Sequence, residues 1–279
     1  MRRTRLPKLL YPLYIVLMTC TAVSPSQARA AQAMQLFNGK DLSNFDTWLV
    51  DHHDADADHV FQVVDQVDGA AAIRVSGQHY GGFITKEEFS DYHLVVEFRW
   101  GLVTWGNRKD RSRDSGILLH CQGDYGNSRP DFNGPWMRSI ECQIIEGGTG
   151  DFILVGGYDK QGEQSVPTLT ATAGRDRDGE TIYDPRGKAT EFQGGRINWY
   201  GRDPDWKDVL GFRGKQDVES PAGEWTRIEV ICDGDSITNI VNGKVVNAAS
   251  LSSLKRGKIL FQSEGAELYF RKIELTPLR

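Results

Sequence analysis

The sequence predicts an all-β fold, a sandwich or jelly roll of short strands, and three observations carry that expectation. Short runs of alternating apolar and polar residues recur from residue 60 to residue 275. No apolar repeat of helical period appears after residue 34. Turn signals separate the runs, the clearest being Asn242-Gly243, whose residues favour the left-handed conformations of a two-residue hairpin turn.

Taken in order, residues 1–33 read as a signal peptide. Arg2, Arg3, Arg5 and Lys8 give a basic start, residues 9–23 are mostly apolar, and Ala28-Arg29-Ala30 and Ala31-Gln32-Ala33 offer small-x-small cleavage sites. The apolar run is too short for a membrane span, so export to the periplasm or the extracellular space is expected. Leu17-Met18-Thr19-Cys20 faintly resembles a lipoprotein attachment site, although threonine before the cysteine is atypical. Residues 34–279 suffice for one large β domain with its own core, and no repeat or linker divides them.

The expected strands are 60–67, 71–75, 82–85, 92–100, 116–121, 139–145, 151–155, 227–232, 236–241, 244–246, 258–263 and 267–275. Three long segments interrupt them, 101–113, 122–138 and 156–223, the last almost free of strand pattern. These insertions hold Trp105, Tyr125, Trp136, Tyr158, Trp199, Tyr200 and Trp206 among Asp, Asn, Gln and Arg. Long aromatic-rich loops in a compact domain are ordered and commonly functional. Such rings can stack on sugar C–H faces, with Trp136, Trp199 and Trp206 as candidates; the plainer reading is that they pack the loops down.

The chemistry concentrates on two strands. In 114–121, Ile117, Leu119 and Cys121 share one face, and Gly116, Leu118 and His120 the other. In 139–145, Ile140, Cys142 and Ile144 share a face, opposite Glu141 and Gln143. The two strands are expected to be antiparallel neighbours, with the cysteines toward the core and His120 and Glu141 toward a groove. Strict alternation puts Glu146 on the apolar face, and a β-bulge at Ile144–Ile145 would return it to the side of Glu141. Two carboxylates on one face are minimal equipment for acid/base work on a glycoside; otherwise Glu146 simply enters a glycine-rich turn.

Composition excludes other classes. The formal net charge is −5 with no basic stripe, which excludes nucleic acid as a partner. Phosphate loops, nucleophile elbows and His-Glu-x-x-His are absent from the sequence. His52 and His53 with Asp51, Asp54, Asp56 and Asp58 lack the ligand order of a cation loop and read as a solvated acidic loop. No cofactor is expected, and a divalent cation has no support. Cys121, Cys142 and Cys232 remain after processing, an odd number; Cys121 and Cys142 read as buried thiols or as a bridge.

The chain also resembles the 3-keto-disaccharide hydrolase domain family. The resemblance runs through residues 36–42 (Leu-Phe-Asn-Gly-Lys-Asp-Leu), 92–99 (Tyr-His-Leu-Val-Val-Glu-Phe-Arg), Asp114-Ser115-Gly116-Ile117, Glu141-Cys142-Gln143-Ile144, Gly223-Glu224-Trp225 and 269–273 (Tyr-Phe-Arg-Lys-Ile). It implies a concanavalin A-like jelly-roll sandwich of two antiparallel sheets, with long loop insertions and a carbohydrate-binding concave face. It also implies cleavage of glycosides already oxidised to a ketone at C3. Glu141-x-Gln143-x-x-Glu146 resembles, in addition, the Glu-x-Asp-x-x-Glu strand of family-sixteen glycoside hydrolases, with Gln143 in place of the central Asp.

A C3 ketone acidifies the C2 proton, so a carboxylate can remove it and the C1 substituent can leave. Glu141 and Glu146 are the expected acid/base pair, assisted by His120. His120 and Gln143 are expected to orient the pair or bind the ketone oxygen, with Arg99 a further donor and Asp114 a substrate-binding residue. The rival readings are a non-catalytic sugar-binding module and a retaining glycosidase acting on unoxidised sugar.

Overall fold

The computed structural model describes residues 32–279; the expected signal peptide, its cleavage sites and Cys20 lie outside the described residues, apart from Gln32 and Ala33. The architecture is all-β, with two large antiparallel sheets, which fulfils the jelly-roll expectation. The back sheet runs Lys244–Ala249, Ser236–Val241, Thr226–Asp233, Tyr92–Thr104, Ala266–Pro277, Ala70–Val75 and Phe61–Val67, with Met34–Gln35 added on Ala266–Pro277. The front sheet runs Gly195–Ile197, Phe152–Val155, Arg138–Ile145, Asp114–Gln122, Lys258–Ser263, Gly81–Thr85 and Phe45–Leu49.

Alternation places the core. Ile117, Leu119, Ile140, Cys142, Ile144, Phe152, Phe83 and Phe261 of the front sheet meet Tyr92, Leu94, Val96, Phe98, Ile228, Val230 and Phe270 of the back sheet. Phe83 stacks on Phe261 with 4.8 Å between ring centroids, and Phe45 meets their edges at 5.1 and 6.2 Å respectively. Burial of these side chains is the main stabilising term, at about 1.5–3 kcal/mol for each large one. It also fixes register, since a one-residue slip would turn each strand inside out.

The segment 156–223 is more regular than its sequence suggests. Thr168–Arg175 pairs with both Thr181–Tyr183 and Lys188–Gln193, and Gly195–Ile197 adds an edge strand to the front sheet. Leu169, Ala171, Tyr183, Ile197 and Trp199 join the main core. Its apolar residues are spread thinly among Thr, Gly and charged residues, so the strands are held by this docking rather than marked by their own periodicity.

One local irregularity decides the site. The expected bulge at Ile144–Ile145 is absent, because Ser115 pairs with Ile144 and Asp114 with Ile145 without a break. The register shift falls instead between Leu119 and Gln122, where His120 takes a left-handed φ of 54°. An extra residue at that point reverses the faces beyond it.

Candidate functional site

The outer face of the front sheet, turned away from the core, carries the site. Paired residues of neighbouring strands share a face, so one row crosses the sheet as Arg196, Ile153, Glu141, Leu118, Leu260, Ile84 and Asp46. In the next row Gln143 pairs with Gly116, and Gly82 pairs with both Gln262 and Trp48. The expected pairing of 114–121 with 139–145, and the outward position of Glu141 and Gln143, are therefore as the alternation predicts.

At Gly116 two side chains lie across the bare Cα. A Cβ there would stand 2.1 Å from Glu141 Oε1 and 2.3 Å from Gln262 Oε1. Both oxygens are buried acceptors without a partner. Facing acceptors repel, and burial favours the neutral form of the carboxyl. Glu141 is 3% exposed, and desolvation, then the charge of Glu264, hold its carboxyl well above the usual range against the opposing pull of Arg196.

Glu264 follows Gln262 by two residues, just beyond the Lys258–Ser263 strand, and is partly exposed. Burial pushes its carboxyl up to about 7, with Arg108 and Arg196 opposing. Arg108 forms an ion pair with Asp114, whose other oxygen accepts from Gln143 Nε2. Arg196 donates to Gln143 Oε1 at 3.3 Å and lies 3.6 Å from Asp151. Asp151 in turn pairs with Arg202 and accepts from the Trp199 N–H at 2.7 Å. Tyr80 completes the rim: its hydroxyl donates to Asn107 at 2.8 Å, and burial followed by the Glu264 charge raises its phenol above the ordinary value. Trp136 packs 6.2 Å from the Tyr80 ring.

The remaining sequence candidates are placed elsewhere. His120, beyond the register shift, points into the sandwich. Its ring meets Tyr92 edge-on at 5.6 Å and its Nδ1 lies 3.0 Å from the Leu254 carbonyl, while burial lowers its pKa to about 4. The same shift sends Cys121 outward, so Cys121 and Cys142 occupy opposite faces as free buried thiols. Glu146, without a bulge, stays on the face opposite Glu141, and its carboxylate is fully engaged. It accepts from Arg113 Nη1 at 2.6 Å, from the Arg113 N–H at 3.0 Å and from the Gly211 N–H at 2.8 Å.

Arg99 belongs to the back sheet, where it pairs with Asp68 at 2.8 Å and lies 5.0 Å over Trp225. Trp199 is a core residue, 1% exposed. Trp206 is held by Arg202 over its ring at 4.4 Å and donates to the Glu146 carbonyl at 2.8 Å, so it packs the insertion down. Of the named set, the structure thus gathers Glu141, Gln143, Asp114 and Trp136.

Sequence reasoning missed Gln262, Glu264, Arg108, Arg196 and Tyr80. The first two were legible: Leu260-x-Gln262-x-Glu264 is period-2 alternation, the mirror of Glu141-x-Gln143. Among the described residues, Asp176, Asp178 and Glu180 bring carboxylate oxygens within 4.8 Å of one another, far from the acidic loop at 51–58 in sequence. Surface hollows line the 122–138 segment and the Phe45–Leu49 edge, whereas the Glu141 site is marked by its buried charged groups.

Two large antiparallel sheets packed over one core define a jelly-roll sandwich. The chain belongs to the family described as the 3-keto-alpha-glucoside-1,2-lyase-like domain, which matches residues 32–276. Among solved structures, a candidate glycosyl hydrolase from Parabacteroides distasonis is 17% identical, with a TM-score of 0.48, covering 88% of this chain and 94% of its own. A β-glucanase from Bacillus licheniformis is 12% identical, TM-score 0.43, covering 90% and 99%. The carbohydrate-binding module CBM66 from Bacillus subtilis is 10% identical, TM-score 0.39, covering 77% and 91%. No curated protein matches the chain. Among the described residues no helix is long and apolar enough to cross a membrane.

Proposed function

We propose that the protein is an exported enzyme that cleaves 3-keto-glycosides by elimination across C1–C2, using Glu264 and Glu141. The observation that carries this reading is the pair of carboxyls both raised by burial and both facing Arg196, Glu141 on the outer sheet face and Glu264 in the turn after Lys258–Ser263, whose charge raises Glu141. The basic, apolar leader-like start of the chain supports export.

In the proposed step Glu264 takes the C2 proton, and the C2–H electrons form an enolate with the C3 oxygen. The ketone then re-forms as C1=C2 closes and the C1–O bond breaks. The departing oxygen takes a proton and leaves as an alcohol. Water added across C1=C2 makes the outcome hydrolysis. A base with a pKa near 7 combines ionisation with proton affinity at neutral pH, which suits Glu264. Glu141, held protonated, is the donor. Arg108 and Arg196 place positive charge where the enolate oxygen develops, and charge complementarity of this kind is commonly the largest catalytic contribution. Asp114 and Gln143 hold the two arginines in place, and Trp136 forms part of the wall.

A retaining glycosidase with Glu141 and Glu146 as its carboxylate pair is disfavoured, since Glu146 faces the other way and is held by Arg113. The test is cleavage of an aryl 3-keto-glucoside carrying deuterium at C2. A slowed rate with the label, and a rate that climbs with pH through about 7 as Glu264 ionises, are expected. Equal rates for labelled and unlabelled substrate in single turnover, or cleavage of the unoxidised glucoside, would overturn the elimination.

A further inference from the structure

On the edge of the front sheet remote from Glu141, two adjoining hollows of about 700 and 430 Å³ share Trp48, His53 and Tyr125. Phe132 closes one of them and Asp46 and Asp54 line the other. The hollow that Phe132 closes is mostly apolar and the other mixes apolar and polar residues evenly, so together they form an amphipathic cleft. Its parts come from three separate segments: the edge strand Phe45–Leu49, the loop after it, and the 122–138 segment. They are fastened together. Trp48 Nε1 donates to the Gly134 carbonyl at 3.0 Å, and Asn133 exchanges hydrogen bonds with Asp51 at 2.8 and 2.6 Å.

His53 lies flat on Trp48, 4.5 Å between centroids and 6° between planes, and its backbone takes a left-handed φ of 55° to do so. The imidazole is exposed. An exposed imidazole backed by an indole presents a flat stacking face with hydrogen-bonding nitrogens at its edge. Tyr125 donates to Asp46 at 2.7 Å and accepts from Lys258 at 2.7 Å, so its ring is fixed. Lys160, at the far wall, is paired with Asp124 at 3.2 Å. Asp54 has no ion-pair partner among the described residues, which leaves a carboxylate free to accept from hydroxyls.

We infer that this cleft is a second carbohydrate-binding site, for a neutral pyranose of a glycan, separate from the catalytic site. The inference rests on the carbohydrate reading above. A pyranose matches the cleft because it too has apolar C–H faces and a hydroxyl-bearing rim. Carboxylates at 46, 54, 124 and 131 outnumber Lys160 and Lys258 around the cleft, so uronic acids and sulfated sugars are repelled. The cleft lies four strands from Glu141 in the sheet order, roughly 19 Å at the usual strand spacing of about 4.8 Å. The 122–138 segment packs on the sheet between them. It would hold the enzyme to a polymer while the other site works on a small glycoside.

The experiment is affinity electrophoresis of the full mature chain in gels containing a neutral glucan, a neutral mannan or polygalacturonate, alongside cleavage of the aryl 3-keto-glucoside. At least one neutral gel should retard the wild type, and polygalacturonate should not. His53→Ala and Phe132→Ala should each weaken retardation about 3- to 10-fold with the cleavage rate unchanged, and Asp54→Asn, which keeps the loop's shape, should do so more mildly. Glu141→Gln should do the reverse, losing cleavage and keeping retardation. If cleavage fails while the cleft variants still alter retardation, the catalytic reading falls and the cleft stands. Retardation only in polygalacturonate, none in any neutral gel, or full retardation of the folded cleft variants would overturn the second site.

Discussion

The outer face of the front sheet has two halves built from the same strands and put to opposite uses. Around Gly116 it is polar: Glu141, Gln143, Gln262 and Asp114 are buried there, and two of their oxygens have no partner. A few ångströms along the same strands it is apolar: Leu118, Leu260 and Ile84 lie under Met137, Trp136 and Tyr125 of the 122–138 segment. One half is finished by the protein itself. The other is left incomplete, and unsatisfied buried polar groups are costly unless a ligand or a proton completes them. Partnership, rather than burial, separates site from scaffold here, and Glu146 makes the same point by being equally buried and fully bonded.

The largest effect should come from the incomplete half. Glu264→Gln and Glu141→Gln are each expected to slow cleavage by ~10²–10⁴-fold with the fold retained, as for loss of a general base or acid. Gly116→Ala should approach the same loss, since its methyl would take the place of the Glu141 carboxyl oxygen. Steady-state rates with a circular-dichroism check would decide, and a fully active Gly116→Ala would erase the distinction between the halves.

Next comes the buried carboxylate that already has partners. Arg113→Met strands Glu146 without its counter-ion and is expected to cost about 3–5 kcal/mol of stability, read by urea unfolding. Glu146→Gln should retain the catalytic rate per folded molecule. A rate falling by two orders of magnitude in a stable Glu146→Gln would return that residue to the chemistry.

The apolar half should answer in stability alone. Met137, 1% exposed, caps Leu118 and Leu260, and Met137→Ala is expected to cost about 2–5 kcal/mol. The smallest effect is a slope. Glu219, buried and bonded to Thr149 and to the Gly147 N–H, is pushed up to about 8 by burial. The native state therefore holds a proton that the unfolded chain releases near its ordinary value of 4.5. That contribution is complete below about 4.5 and is lost as pH rises to about 8, by at most about 1.4 kcal/mol per pH unit. Unfolding midpoints at pH 6 and pH 9 should fall more steeply in the wild type than in Glu219→Gln, which keeps the slope contributed by Glu141 and Glu264.

The sequence by itself determined the fold class, because period-2 burial and turn residues are local properties that a chain displays one strand at a time. For the same reason it placed Glu141 and Gln143 outward and Cys142 inward, and it could have shown Gln262 and Glu264. It could not place the bulge. A register shift is set by which neighbouring strand offers room, and here the shift at His120, rather than at Ile144, reversed the facing of His120 and Cys121 and left Glu146 on the core side. Tertiary structure alone decided three further matters. Arg108 and Arg196 reach the carboxyls from insertions with no periodicity to read. Trp199 packs in the core and not in a groove. The 122–138 segment covers one half of the sheet face and spares the other, since which partner an apolar strip finds is a property of the folded molecule and not of the strip.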